Sequence, residues 1–240
     1  MLEIQQQNHF YLFNFDQPKV HQEKFLDIQF WQNENRIIGS AKGRGTTWFI
    51  HSEDIFGINT ALRHYFRGGL LGKINKDRYA FSSLEQTRSF AEFKLLHQLH
   101  QAGLPVPQPV AAKVEKLNFN QYRADLLSER IENAKDLTAV LQTKTISTEH
   151  WQQIGQLIRQ LHNLQICHTD LNAHNILLQT NQQHFKFWLI DFDKCGEKSG
   201  NFWKQENLQR LHRSFCKEVK RMQIQFTEQN WQDLLTGYHQ

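Results

Sequence analysis

The chain has 240 residues, 39% of them apolar and 12% aromatic, with a formal net charge of +4 from 28 Lys+Arg against 24 Asp+Glu. That is enough apolar material for a core of ordinary size, so a disordered or fibrous chain is excluded, and the length fits one large domain or two small lobes. The charge total is too small to demand a nucleic-acid or membrane partner. Three cysteines (Cys167, Cys195, Cys216) are too few and too scattered for a disulfide framework or a zinc site, and they point to a reducing compartment. No apolar run approaches the ~18–20 residues of a membrane span. The start, Met1-Leu-Glu-Ile-Gln-Gln-Gln, lacks the basic region and long apolar stretch of a secretory leader, so a soluble cytosolic chain is expected.

In chain order, short β-favouring runs at residues 9–15, 46–51 and 60–66 alternate with turns, and seven of the 12 glycines fall within residues 39–72. A helix is predicted over residues 83–100 from the stripe Leu84, Ala91, Leu95, Leu96 and Leu99, with Gly103 as its stop. Three of the four prolines lie in residues 104–109, which predicts an extended segment, followed by strands at 110–114 and 123–128. Beyond that the chain turns helical. Ser147 caps a helix carrying Trp151, Ile154, Leu157, Ile158, Leu161 and Leu164 at a 3.6-residue period. Two apolar strands follow, at 175–178 and 187–190, and amphipathic helices over Phe202–Met222 and 227–238 close the chain. The pattern is α+β: a small β-rich lobe with one main helix, then a compact, mostly helical lobe, with the crossing near residues 129–136.

The most informative segment is His168-Thr-Asp170-Leu-Asn-Ala-His-Asn175, placed after the periodic helix and before an apolar strand. Sixteen residues after Asn175, a second apolar strand ends in Asp191-Phe-Asp193. Phosphoryl transfer explains carboxylates and an amide at neighbouring strand ends. Mg²⁺ on nucleotide phosphates wants hard oxygen ligands, which Asn175 and Asp191 offer. The acceptor hydroxyl needs a carboxylate to orient it and take its proton, a role that suits Asp170.

These motifs resemble the protein-kinase-like superfamily, whose catalytic loop reads His-Arg-Asp-x-x-x-x-Asn and is followed by Asp-Phe-Gly. The resemblance implies a two-lobe fold with an N-lobe over residues 1–130 and a C-lobe over 131–240, forming one catalytic unit. It implies a nucleotide-phosphate loop at Gly39, Lys42, Gly43, Arg44 and Gly45, although the glycine spacing is looser than Gly-x-Gly-x-x-Gly. Arg63, in Ala61-Leu-Arg63, falls where the superfamily carries its strand lysine, and Glu92 is its implied ion-pair partner on the following helix. Leu127-Ser-Glu129-Arg-Ile131 resembles the hinge whose backbone binds adenine. Glycine does not follow Asp191-Phe192, Ala-Pro-Glu is missing, and about 49 residues remain after Asp191, so a small-molecule, sugar or lipid acceptor is expected in place of a protein.

A resemblance covering nearly the whole chain rests on Arg44-Gly-Thr-Thr, Ala61-Leu-Arg-His-Tyr65, Arg67-Gly-Gly, Asn75-Lys-Asp-Arg-Tyr79, Arg88-Ser-Phe-Ala-Glu92, His168 to Asn175 and Ile190-Asp-Phe-Asp-Lys-Cys-Gly-Glu-Lys-Ser199. These strings are similar to the 3-deoxy-D-manno-octulosonic acid (Kdo) kinases of Gram-negative bacteria, within the lipopolysaccharide kinase family. That similarity implies ATP- and Mg²⁺-dependent phosphorylation of the 4-hydroxyl of Kdo in Kdo-lipid A during lipopolysaccharide inner-core assembly. It implies a peripheral protein on the cytoplasmic face of the inner membrane, meeting an anionic lipid surface, with no nucleic acid and no required protein partner.

Spacing and charge alone stop at a phosphotransferase. A kinase for a cationic acceptor such as an aminoglycoside, a nucleotide-binding scaffold without catalysis and a nucleic-acid binder remain open on those grounds. Charge distribution favours an anionic acceptor: residues 36–78 carry eight bases against three acids, and residues 204–221 carry six against two. Arg67, Lys73, Lys76 and Arg78 are the acceptor-binding candidates, with a solvated basic face as the competing reading.

Overall fold

Residues 109–129 show how alternation builds the first half. A computed structural model describes residues 1–43, 45–67, 76–181 and 184–240. In it β7 (Pro109–Asn118) and β8 (Gln121–Glu129) pair antiparallel, and Asn118 closes the turn by accepting from the Asn120 N–H at 3.1 Å. They form the middle of an eight-stranded sheet with β1 (Leu2–Gln6), β2 (His9–Phe13), β3 (Ile37–Lys42), β4 (Thr46–Ile50), β5 (Thr60–His64) and β6 (Tyr79–Ala80). Its order is β1-β2-β7-β8-β5-β4-β3, with β6 also on β8. Sequence alternation located β2, β4, β5, β7 and β8. It missed β1 and β3, edge strands in which only Leu2 and Ile4 of the one and Ile37 of the other pack on the core, too few apolar positions to stand out as a period.

Side chains on the two faces of β5 go to different neighbours, as the pleat requires. Leu62 joins a core with Tyr11, Phe13, Phe25, Leu26, Trp31, Ile50, Val110, Ala111 and Leu127. A 3₁₀ turn (Gln22–Leu26) and helix α1 (Ile28–Asn33) bring Phe25, Leu26 and Trp31 to that core; Asp27 caps α1 by accepting from Gln29 N–H at 2.9 Å. Arg63 points the other way, to Glu92 on α3 (Arg88–Gln101), while α2 is the short Glu53–Phe56 turn. The helix starts later than residue 83 because the segment before it is bent, with Thr87 Oγ1 donating to Leu84 O at 2.5 Å.

The chain divides into two compact units: residues 1–97 with 108–130, and residues 98–107 with 131–240. In the second, α4 (Leu137–Leu141) is capped by Asp136 and α5 (Thr148–Asn163) by Ser147. Of the predicted stripe of α5, Trp151, Ile154, Leu157, Ile158 and Leu161 are buried, whereas Leu164 falls at the C-cap, past the helix end, and is exposed. α6 (Phe202–Met222) and α7 (Glu228–His239) follow, the latter opened by a Thr227–Asn230 capping box. Helices α5 and α7 approach at two glycines: a Cβ on Gly155 would lie 2.0 Å from Leu234 O, and one on Gly237 would lie 2.0 Å from Gln152 O. Two small ladders complete the unit. β11 (Ile176–Asn181) sits between β12 (His184–Leu189) and β9 (Ala134–Asp136), and β10 (Ile166–Cys167) pairs with β13 (Gly196–Glu197). Among the described residues no helix is long and apolar enough to cross a membrane.

Candidate active site

In the first unit the expected phosphate loop is the β3–β4 hairpin. Gly39 lies inside β3, at a shift of register, and the turn proper is at 43–45, where Gly43 N–H donates to Gly45 O at 2.8 Å. A Cβ on Gly45 would stand 2.1 Å from Phe66 Cδ2, so this position takes no side chain unless Phe66 moves. Lys42 is exposed at the end of β3, and Arg44 lies outside the described residues. Along β5, Arg63 Nη2 reaches Glu92 Oε1 and Oε2 at 2.6 and 2.5 Å. Glu92 is only 4% exposed, and a buried carboxylate needs a charged partner and further donors. Tyr65 supplies one, its hydroxyl donating to Glu92 Oε2 at 2.6 Å while Arg63 lies over the Tyr65 ring at 4.7 Å. Tyr65, two residues along the same strand face, was not foreseen from sequence.

The hinge residues are partly engaged. Glu129 N–H and Arg130 N–H donate to Gln108 O and Asn59 O at 2.7 and 2.9 Å, and Glu129 Oε2 accepts from Gln108 N–H at 3.0 Å. Neither N–H of that pair is open to an adenine edge; Ile131 begins the second unit. Of the acceptor-binding candidates, Arg67 Nε donates to Arg78 O at 2.6 Å and its guanidinium covers Tyr79 at 5.0 Å. Lys76 O accepts from Arg67 N–H at 2.6 Å. Lys73 lies outside the described residues.

In the second unit the two motif segments are tied together by backbone. Ile176 pairs with Leu189 across β11 and β12, and Ile190 N–H donates to Asn175 O at 3.0 Å. His168, fully buried, bonds Ile190 O through Nε2 at 3.0 Å and packs on the Phe192 ring at 4.8 Å. That bond makes Nε2 the protonated nitrogen, and burial pushes the imidazole pKa down, so His168 is a neutral pin between the segments. Asn172 Oδ1 caps the 3₁₀ turn Ala173–Asn175, accepting from His174 and Asn175 N–H at 2.9 and 3.2 Å. Its Nδ2 and that of Asn175 both donate to Asp170 O at 2.9 Å.

With its nitrogen so engaged, Asn175 offers its amide oxygen as the remaining acceptor. Asp191 has φ 65°, a left-handed backbone that a non-glycine residue adopts at a cost and that is common where a side chain must be aimed. An amide oxygen and a carboxylate are hard donors that fit Mg²⁺, which keeps water and phosphate oxygens as its other ligands. No cluster of three or more His, Cys, Asp or Glu suited to a metal ion occurs among the described residues. Asp170 is half-exposed, and its Oδ1 accepts from Arg210 Nη2 of α6 at 2.5 Å. Burial pushes the carboxyl up, but the Arg210 hydrogen bond and charge, with smaller help from Asn172, hold it below its ordinary range. The sequence offers no local sign of the Arg210 contact, which joins residues 40 positions apart.

Comparison with known proteins places this arrangement. Residues 28–238 match the lipopolysaccharide kinase (Kdo/WaaP) family. The chain is 73% identical over 238 residues to the 3-deoxy-D-manno-octulosonic acid kinase of Mannheimia succiniciproducens, covering 99% of each. It is 64% identical to that of Haemophilus influenzae (strain PittEE), covering 100% of each, and 51% identical to that of Vibrio vulnificus, covering 89% of this chain and 87% of the relative. A solved structure of WaaP in complex with acyl carrier protein superposes with a TM-score of 0.60 at 14% identity, covering 91% of this chain and 86% of that one. That likeness shows the protein-kinase-like fold expected from the catalytic-loop motifs. Matched over most of its length and more than half identical to these relatives, the chain belongs to the lipopolysaccharide kinase (Kdo/WaaP) family.

Proposed function

We propose that this kinase transfers the γ-phosphoryl group of ATP to the 4-hydroxyl of Kdo on Kdo-lipid A. Its kinship with Kdo kinases makes it a phosphotransferase acting on Kdo in lipopolysaccharide biosynthesis. ATP, Mg²⁺ and the 4-position are the finer part of the reading. The observation that carries it is the backbone-tied pair of segments presenting Asp170, Asn175 and Asp191 in one unit.

Asp170 accepts the hydroxyl proton as the sugar oxygen forms its bond to the γ-phosphorus, and the bond to the β,γ-bridging oxygen breaks to release ADP. Asn175 and Asp191 hold Mg²⁺, which supplies charge neutralisation at the phosphates. Arg63, oriented by Glu92 and Tyr65, gives a fixed cation for phosphate oxygens, and Gly43 and Gly45 carry no side chains to stand between their backbone and phosphate. Arg67, Lys76 and Arg78, with Lys73, are the basic residues for the sugar carboxylate and lipid A phosphates. A lipid-borne acceptor places the enzyme peripherally at the cytoplasmic face of the inner membrane. Mass spectrometry of Kdo-lipid A after incubation with ATP and Mg²⁺ tests the reading. A single phosphate at the Kdo 4-position supports it, and an unmodified acceptor contradicts it.

A further inference from the structure

We propose that Arg210 is a positioning residue for the transfer step, fixing the Asp170 carboxylate so that one oxygen faces the acceptor hydroxyl. This rests on the reading of Asp170 as the proton acceptor. The amides of Asn172 and Asn175 pin the Asp170 main-chain oxygen, each at 2.9 Å. Those bonds fix the backbone, and the two side-chain torsions of Asp170 still turn. The Arg210 Nη2 bond to Oδ1 opposes that turning and makes the two carboxylate oxygens inequivalent, leaving Oδ2 for a substrate.

The contact is built, not incidental, because one stripe of α6 addresses three points of the catalytic loop. Asn207 Nδ2 donates to His168 O at 2.8 Å, Arg210 holds the Asp170 carboxylate, and Ser214 Oγ accepts from Ala173 N–H at 3.1 Å. Spacings of three and four residues put these side chains on one helical face. Asn207 is itself held by the buried His162, whose Nε2 bonds Asn207 Oδ1 at 3.0 Å. The stripe therefore sets the height of Arg210 against the loop. An ion pair whose side chains are 48% and 43% exposed adds little to folding stability, so its removal leaves the fold standing.

Transfer kinetics of Arg210→Gln and Arg210→Lys, with Asp170→Asn alongside, test this. For Arg210→Gln the expected result is a kcat lowered about 10- to 100-fold, the scale of a small misplacement of a reacting group, with the ATP KM within about twofold and the melting temperature unchanged. Arg210→Lys recovers part of the loss, and added methylguanidine partly restores an Arg210→Ala enzyme. Arg210→Gln with kcat at or near wild type while Asp170→Asn is inactive overturns the proposal and spares the Asp170 reading. A defect confined to acceptor KM also overturns it, since Arg210 would then bind the sugar. An active Asp170→Asn enzyme overturns both.

Discussion

At the scale of the residue, the candidate side chains of the loop at 168–175 stand out in the sequence because they lie close together. His168, Asp170 and Asn175 fall within eight residues and Asp191 follows one strand pair later. Their partners do not, since Arg210 and Asn207 reach the loop across 40 and 39 positions, and no local pattern marks such contacts. Asp170→Asn is expected to keep nucleotide binding and lose at least about 100-fold in transfer, within the range of a general base; equal activity contradicts the assignment. Asp191→Ala is expected to lose both Mg²⁺ dependence and activity, as read by metal titration. A stability prediction comes from His162, fully buried against Tyr238 and Asn207 and pushed by burial from 6.5 to about 4. Between those values the unfolded chain takes up a proton that the folded chain refuses, so folding weakens as pH falls, by up to about 3 kcal/mol. His64 works in the opposite direction: Asp125 and Asp77 raise it despite burial, so its contribution is lost as pH rises. Urea unfolding of wild type and His162→Gln across this window isolates the His162 part. The wild type is expected to lose more stability on acidification, and parallel curves contradict it.

At the scale of the element, sequence periodicity served where a long apolar face is buried and failed where only one or two apolar residues are. The bounds of α6 agree with the sequence reading because its apolar stripe, Trp203, Leu208, Leu211 and Phe215, is buried. The strands β1 and β3 escaped because each edge strand packs only one or two apolar side chains on the core, Leu2 and Ile4 in β1 and Ile37 in β3, too short a run to read as alternation. What periodicity could not show is how closely two helices pass. Gly155→Ala places a methyl against Leu234 O on the facing helix and is expected to cost about 1–3 kcal/mol, as overpacking does. Gly196→Ala meets open space and serves as the control, expected within about 0.5 kcal/mol of wild type. A Gly155→Ala midpoint equal to the control in urea contradicts the close approach. The same α6 gives the molecule its reading face for the catalytic loop, so element placement and site geometry are one problem in this unit.

At the scale of the molecule, the modest +4 hides a body of net acidity and two basic zones, at residues 36–78 and 204–221. The structure narrows what those zones can offer a partner. Arg36 pairs with Asp54, Arg63 with Glu92, Arg210 with Asp170 and Arg221 with Glu218, so part of each zone serves the chain itself. The remaining bases suit an anionic lipid surface, and attraction of this kind is screened by salt. Binding to phosphatidylglycerol vesicles is expected to fall steeply between about 50 and 500 mM salt; binding that ignores salt contradicts an electrostatic surface contact. The central claim is the phosphotransfer itself, and one assay reaches it most directly. Labelled ATP with Mg²⁺ is offered Kdo-lipid A, an aminoglycoside and a generic protein side by side. Label on the Kdo of Kdo-lipid A alone is the result predicted here, and label on either competitor with none on Kdo-lipid A would contradict it.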